Sequence, residues 1–444
     1  MNVQKKITDV FKVQQLQKKI FFTLLFVFIY RVGTVIPIPG IDIDAVKSIF
    51  FEKKNVFLGF FNMFSGGAFN RVSIFSLGVM PYINASIIMS LIQGAHLIPY
   101  FDKLAKEGDH GRKKISKITK FITLFIGMIH SFGFAIMLTK MSTPTGNSVV
   151  IDSSISWIML VILTLITGTI LTMWFGEQIT EKGIGNGVSI IIFTGIVERL
   201  PYALINILKF INKEASSLLV LILALIVALV FILVIWVETA QRKIFIHYAR
   251  RAIGRKMYNR QTSFLPIKID QSGVIAVIFS VSILSIPFTL VQFTPNWTIW
   301  GVPLVKNVLE LFSSGSIAYN FLYVSLIIFF CYFYNSISFN TKELAENIKK
   351  SSGFIYGIRP GEQTSIYIQK ILKRVTLSGA LFVALLAVLP DYLKSMLKSP
   401  FFFGGTTLLI VVGVSLDTIN QIESYLIMYR YEDLIKDGYK IRRK

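Results

Sequence analysis

Long apolar runs alternate with short polar segments along nearly the whole chain. About ten of these runs approach the ~20 residues that an α-helix needs to cross the hydrocarbon core of a bilayer. They are too many and too long to be the core helices of a soluble domain. The predicted spans lie at 20–36, 76–97, 119–139, 155–175, 184–201, 216–237, 272–293, 318–339, 375–390 and 402–423.

Composition supports this pattern. The chain has 444 residues, of which 53% are hydrophobic and only 16% charged. A soluble protein of this size carries about 25% charged residues. We therefore predict an all-α polytopic membrane protein with ten transmembrane helices.

The net charge of +22 is unevenly distributed. Most Lys and Arg fall in segments that share one side of the membrane if both termini are cytoplasmic, as the positive-inside rule requires. Ten spans then divide into two five-helix halves, 20–201 and 216–423, joined by an outer hinge segment at 202–215. With both ends on one side, the halves have inverted topologies, although they are not recognisable sequence repeats.

The terminal segments are cytoplasmic in this topology. Residues 1–19 are basic and predict an amphipathic helix on the membrane surface, with no evident cleavable signal peptide. Residues 424–444 form a C-terminal tail. Between spans four and five, Gly183, Gly185 and Gly187 predict a tight cytoplasmic turn.

Two long cytoplasmic loops, 238–271 and 340–374, carry clustered basic residues. Such clusters suit phosphate-bearing or acidic partners, although they also enforce topology, and for most of these residues the second explanation is at least as good. In the second loop, Pro360-Gly361 predicts a turn that displays Arg359. The candidate docking residues are Arg250, Arg251, Arg255, Lys256 and Arg359.

A short amphipathic segment at 61–74 is interrupted by Gly66-Gly67 and leads directly into the second span. Irregular backbone at membrane depth is tolerated only where protein or a water-filled cavity surrounds it. The segment is therefore either a re-entrant loop without a moving part or an element inside a cavity.

The spans contain few ionisable residues. Asp417 is the clearest exception, and Arg31 and Arg199 lie near span ends, where snorkelling to the interface is expected. Neutral polar residues are plentiful instead. They indicate either interhelical hydrogen bonding or a wide, uncharged, water-lined cavity.

Catalysis and metal binding have little support. The four histidines are scattered without a pair at ligand spacing, and the single cysteine excludes an intramolecular disulfide or a cysteine metal cluster. Hydrolase, zinc-protease and nucleotide-binding motifs are missing from the sequence. We therefore predict a conduit, with no cofactor, and not an enzyme.

The order of several motifs resembles the SecY family, the pore subunits of the bacterial Sec protein-conducting channel. The resemblance covers nearly the whole length. It rests on RVGTVIPIPGID (31–42), the stretch 61–91, GEQITEKGIGNGVSIIIFTGIV (176–197), ETAQRKIFIHYARRAIGRK (238–256), SFLPIKID (263–270), IRPGEQT (358–364) and GGTTLLIVV (404–412).

The resemblance implies a clam-shell of two halves around an hourglass pore, and it implies roles for particular positions. The implied pore ring is Val79, Ile83, Ile192, Ile278 and Ile410. The implied plug, within 61–74, includes Phe61, Asn62, Phe64, Gly66, Gly67, Asn70 and Arg71. The implied lateral gate pairs Ala85, Ser86, Met89 and Ser90 with Ser282, Leu284, Ile286 and Pro287.

The same resemblance implies a bacterial cytoplasmic-membrane location and a set of partners. These are SecE-like and SecG-like small membrane subunits, the SecA ATPase, the ribosome, unfolded preproteins and the lipid bilayer. Two other readings stay open from the residues themselves. One is an inverted-repeat secondary transporter, which would require an intramembrane ionisable cluster; the other is an accessory paralogue that handles a few substrates.

Overall fold

The structure is a computed structural model. It describes residues 13–42, 45–46, 62, 65–94, 98–140, 149–151, 154–199, 201, 205, 217–248, 252–253, 256–257, 262–293, 298–299, 302–303, 316–397 and 405–441.

Helices dominate the described chain, and each apolar run that the sequence pattern singles out overlaps one. Their bounds are α1 Gln14–Gly33, α2 Met80–Gly94, α3 Pro99–Lys106, α4 Asp109–Lys140, α5 Ile155–Lys182, α6 Gly187–Val197, α7 Ser217–Thr239, α8 Gly273–Phe293, α9 Ile317–Ser338, α10 Thr341–Lys350, α11 Glu362–Leu397 and α12 Gly405–Ile441.

Four described stretches are long and apolar enough to cross a membrane by length and composition. They are Asp109–Lys140, Ile155–Lys182, Ile317–Lys350 and Glu362–Leu389. The prediction of a mostly helical protein with apolar spans is confirmed. That all ten runs cross the membrane stays a prediction.

The first and last described helices extend beyond the predicted apolar spans into the polar segments that flank them. Residues 14–19 belong to the same helix as the first span, and the last helix continues to Ile441. Leu16 is buried and packs with Val13, Ile184 and Leu426, so the start of α1 lies against the α5–α6 turn and α12. Buried apolar contacts of this kind stabilise a continuous helix at this end.

The helices pack as two groups. In the first group α1 contacts α5 and α6, α2 contacts α4, and α4 contacts α5. In the second group α9 packs between α8 and α11, and α12 contacts α7, α8 and α11. The groups meet along two seams: α8 contacts α2 and α4 on one, and α6 contacts α12 on the other. One continuous apolar core runs through both groups.

A glycine turn joins α5 to α6 as predicted. Gly185 has φ +83°, a conformation that L-residues rarely adopt. A Cβ on Gly187 would lie 1.9 Å from the carbonyl oxygen of Gly176, so only glycine allows the two helices to close this tightly. The Gly185 amide donates to Oε1 of Gln421 on α12 at 2.7 Å, which ties the turn to the second group.

A small β-sheet stands beside the helices, so the all-α prediction holds only as a mostly helical fold. Strands β1 (Gln241–Tyr248), β4 (Thr262–Lys268) and β7 (Gly353–Phe354) pair in the order β4-β1-β7. Both basic loops thus contribute to one sheet, which has its own apolar core. This core comprises Ile244, Ile246, Ile267, Ile348, Ile355, Ile368 and Leu372. Two further antiparallel pairs join β2 (Ala252–Ile253) to β3 (Lys256–Met257) and β5 (Thr298–Ile299) to β6 (Val302–Pro303).

Candidate pore and plug site

The segment between α1 and α2 folds into turns inside the helix bundle. Ser65, Ala68, Phe69, Val72 and Ser73 are all buried. Buried irregular backbone needs partners for its polar groups. The Ile38 amide donates to the Val72 carbonyl at 2.9 Å, and the Ile74 amide donates to the Ile36 carbonyl at 3.1 Å. The segment is therefore tied to the chain that follows α1.

Positive backbone angles shape this segment. Gly66, Gly67 and Gly78 have φ of +63°, +86° and +52°. Val72 also has a positive φ of 44°, which is unusual for a β-branched residue and marks a strained turn held by its surroundings.

Aromatic rings pack the segment against three helices. The Phe69 ring lies 5.1 Å from that of Phe134 on α4. The Phe75 ring stacks on Tyr30 of α1 at 5.5 Å and meets Phe175 of α5 edge-on at 6.1 Å. Such pairs stabilise beyond the area they bury. The segment therefore fills the space between helices of the first group and does not lie on the surface.

A charge cluster joins the segment to α1 and to the end of α6. Arg31 on α1 donates from Nη1 to the Gly66 carbonyl at 3.0 Å and from Nη2 to the Thr194 carbonyl, and it forms an ion pair with Glu198. Arg71 in the segment reaches Oε1 of Glu198 at 3.5 Å. Glu198 thus pairs with one arginine of α1 and one of the segment.

Sequence reasoning missed Glu198 and misjudged the arginines around it. The Arg31 guanidinium contacts Glu198 and two carbonyl groups, partners that the sequence did not indicate. Arg199 instead donates to the carbonyl of Asn62 at 2.8 Å. The available signal was the adjacent pair Glu198-Arg199 at the end of an apolar span, where charge is costly without partners.

The five candidate ring residues all belong to the continuous apolar core. Val79, Ile83, Ile192 and Ile410 are buried, and Ile278 is partly buried against the same core. Val79 directly precedes α2 and Ile83 lies in its first turn, while the others come from α6, α8 and α12. The core that holds them also holds Ala68, Phe69 and Val72 of the segment that precedes α2.

The candidate gate residues lie on two helices that touch. α2 and α8 are in contact. Ala85, Met89, Ser282 and Leu284 are buried, whereas Ser86 and Ser90 are partly buried. Asn84 on α2 is buried as well, so polar side chains interrupt the apolar packing in this part of the fold. The side chains of Ile286 and Pro287 lie outside the described part of α8.

The structure describes the candidate docking residues only in part. Arg359 is exposed in the turn between β7 and α11, and its carbonyl accepts from Oγ1 of Thr364 at 2.9 Å. Lys256 lies in β3. Arg250, Arg251 and Arg255 lie outside the described residues, as do Phe61 and Phe64 of the candidate plug.

Asp417 is not an isolated charge. Its side chain is 73% exposed, and Oδ1 lies 3.7 Å from Nζ of Lys268. Glu238, at the end of α7, lies within electrostatic reach of Asp270, Asp417 and Lys268. These charges gather where α7, β4 and α12 meet. Among the described residues, no group of His, Cys, Asp and Glu has the arrangement of a metal site.

Comparison with known proteins identifies the family. The SecY family model matches residues 73–419. The chain is 43% identical over 430 residues to protein translocase subunit SecY of Aquifex aeolicus (strain VF5), covering 96% of this chain and 98% of that protein. It is 41% identical over 423 residues to protein translocase subunit SecY of Escherichia coli (strain K12), covering 95% and 94%.

Solved structures share the fold. A SecY structure, whose plug domain is described as stabilising the closed state of the translocation channel and maintaining a membrane seal, matches with TM-score 0.66 and 17% identity over 92% of both chains. Canine Sec61 from a ribosome–channel complex matches with TM-score 0.63 and 17% identity, again over 92% of both.

The fold is thus that of the protein-conducting channels. The chain belongs to the SecY family. It is a translocase subunit, which confirms the prediction of a conduit and not an enzyme.

Proposed function

We propose that this chain forms the pore through which unfolded secretory proteins cross the bacterial cytoplasmic membrane and from which membrane-protein segments leave laterally into lipid. Ten transmembrane helices form two inverted halves, 20–201 and 216–423, around an hourglass channel, with 202–215 as the outer hinge and both termini in the cytoplasm. The observation that carries this proposal is a buried, irregular plug segment that shares one apolar core with the candidate ring.

The ring of Val79, Ile83, Ile192, Ile278 and Ile410 closes the pore. A narrow apolar constriction dewets and so blocks ions without a charged barrier. β-Branched side chains are stiff at χ1, which suits a gasket that closes around any passing chain. The burial of these residues supports this role, because a closed ring excludes water.

The plug, within 61–74, fills the outer funnel next to the ring. Its turns lack the continuous helical hydrogen bonding of the spans around it. Its contacts are mainly the Phe69 ring against Phe134, a few backbone hydrogen bonds and the Glu198 cluster. Such an element can leave as a unit without unfolding a helix.

The seam between α2 and α8 serves as the lateral gate. Small and polar residues such as Ala85, Ser86 and Ser282 close a seam less firmly than leucines would. An apolar signal sequence or membrane span therefore displaces the contacts between α2 and α8, enters the seam and reaches lipid. The second seam, α6 against α12, is held by the hydrogen bond from Gly185 to Gln421 and acts as the fixed side.

The sheet of β1, β4 and β7 organises the cytoplasmic docking face. It joins the loops 238–271 and 340–374 through the pairing of His247 with Phe354, which supports a shared face for Arg359 and the cations Arg250, Arg251, Arg255 and Lys256. Clustered cations suit the phosphates of ribosomal RNA and acidic surfaces of the SecA motor. SecE-like and SecG-like subunits complete the assembly.

The decisive experiment is site-specific photo-crosslinking. A photoreactive residue is placed at Ile83, Ile192 or Ile278, and a secretory precursor is stalled in the reconstituted channel with SecA. We expect adducts from these positions and none from Leu163, which is 66% exposed on α5 and serves as the lipid-facing control. Equal labelling from Leu163, or no labelling from all three core positions, would refute the proposal.

A further inference from the structure

Three arginines surround Glu198 where the plug contacts α1 and the end of α6. Arg31 comes from α1, Arg71 from the plug, and Arg199 follows Glu198 in the chain. The Arg31 side chain is 19% exposed and that of Glu198 29%, so their ion pair is largely shielded from water. Arg71 is 41% exposed and more screened.

The contacts around Glu198 converge on the plug. Arg31 donates to Glu198 and also to the plug carbonyl of Gly66 at 3.0 Å. Arg71 is itself a plug residue and reaches Glu198 at 3.5 Å. Arg199 donates to the carbonyl of Asn62 at 2.8 Å. Arg71 is therefore part of the plug, and Arg31 and Arg199 each donate a hydrogen bond to a plug carbonyl.

We infer that Glu198 is the hub of an ionic latch that sets how readily the plug leaves its closed position. The latch rests on the proposed function, because it presupposes a plug that moves. Charge-assisted hydrogen bonds at partly buried sites are stronger than neutral ones. When Glu198 is neutral, its attraction for Arg71 and Arg31 is lost while the repulsion among the three arginines remains. The plug is then loosened.

The rival explanation is that ring packing alone holds the plug. The ring contact of Phe69 in the plug, that of Phe75 directly after it, and the backbone bonds to the chain after α1 do not involve Glu198. In that case Glu198 only balances the positive charge of the neighbouring arginines, and replacing Glu198 leaves plug movement unchanged.

A cysteine reporter on the plug separates the two explanations. Asn70→Cys is introduced in a Cys331→Ser background, and the rate of labelling by a membrane-impermeant maleimide is measured in proteoliposomes that hold the channel and its small subunits. Asn70 is partly buried when the plug is closed. We expect Glu198→Gln to raise the labelling rate about three- to tenfold, from the loss of one or two charge-assisted contacts.

Glu177→Gln is the matched control. Glu177 on α5 pairs with Lys120 at 2.7 Å and is 27% exposed, similar to Glu198, but its partner is not in the plug. Its labelling rate should equal that of the parent. Glu198→Asp, which keeps the charge, should fall between the parent and Glu198→Gln. If Glu198→Gln does not insert, Arg71→Gln removes the plug-side contact alone and should raise the rate as well.

The pair Glu198 and Arg71 also allows a double-mutant cycle. If the latch acts through this pair, Arg71→Gln adds little to the labelling rate once Glu198 is Gln. If the parent channel translocates a precursor, two results overturn the latch. One is an unchanged labelling rate in Glu198→Gln, and the other is an equal rise in the labelling rate of Glu177→Gln. Failure of the parent to translocate with its partners present overturns the proposed function instead.

Discussion

Gly66 offers a direct test of how tightly the proposed plug packs against α6. A Cβ added there would lie 3.0 Å from the Cα of Gly195 on α6 and 3.2 Å from Nη1 of Arg31. The nearest neighbour is backbone, which cannot turn aside as a flexible side chain does. Gly66→Ala therefore pushes the plug away from α6 in the closed state, and the cost disappears when the plug leaves.

The size of the effect follows from two terms. A left-handed backbone costs a non-glycine residue about 1–2 kcal/mol, but a plug that moves as a unit keeps this cost in both states. Overpacking against backbone costs about 1–3 kcal/mol and acts on the closed state alone. Since about 1.4 kcal/mol is a factor of ten, we expect Gly66→Ala to raise the open-to-closed ratio of the plug about tenfold.

The assay is the labelling rate of Asn70→Cys, together with ion conductance in planar bilayers. Gly67→Ala is the first control, because Gly67 has φ +86° but its nearest neighbour would be 3.8 Å away. Gly357→Ala is the second, with φ +78° outside the plug and no atom within 4 Å. We expect both controls to stay within about threefold of the parent. Equal labelling rates and conductances in all three variants would show that the plug does not press on α6.

Three further outcomes are expected. Replacing Ile83 by Gly together with Ile192 by Ser should wet the constriction and make planar bilayers leak ions, and an unchanged conductance would contradict the hydrophobic ring. Arg359→Glu should abolish SecA-driven translocation into vesicles with folding intact, since it reverses charge on an exposed turn; retained transport would remove Arg359 from the docking face. Gly187→Ala places a Cβ 1.9 Å from the Gly176 carbonyl and should lower the thermal unfolding temperature of the purified channel by several degrees, read against Gly108→Ala, where no atom is near.

Much of the fold could be predicted because its strongest signals are local. An apolar run of span length predicts a helix without knowledge of its neighbours. The turn at Gly185 and Gly187 was readable for the same reason, since only glycine permits such backbone and such close approach. The family motifs then supplied positions for the ring, plug and gate that no local property marks out.

Other features depend on distant segments. The sheet pairs His247 with Phe354, residues from loops separated by two predicted spans. Residues 14–19 continue α1 because Leu16 finds a buried site against α12, which their basic character does not suggest. Such pairings are decided by packing, which is invisible in a local window.

Membership of the SecY family and a helical architecture with apolar spans could be inferred from the residues alone, because hydrophobicity, charge asymmetry and the order of motifs are properties of the linear chain. The partners of the charges at the span ends became evident from the folded chain. Arg31 and Glu198 are 167 residues apart, and their pairing exists only because α1 and α6 lie together against the plug. A lone arginine at a span end predicts snorkelling, whereas a packed bundle brings it a carboxylate and two carbonyl groups, and the buried partners hold it there.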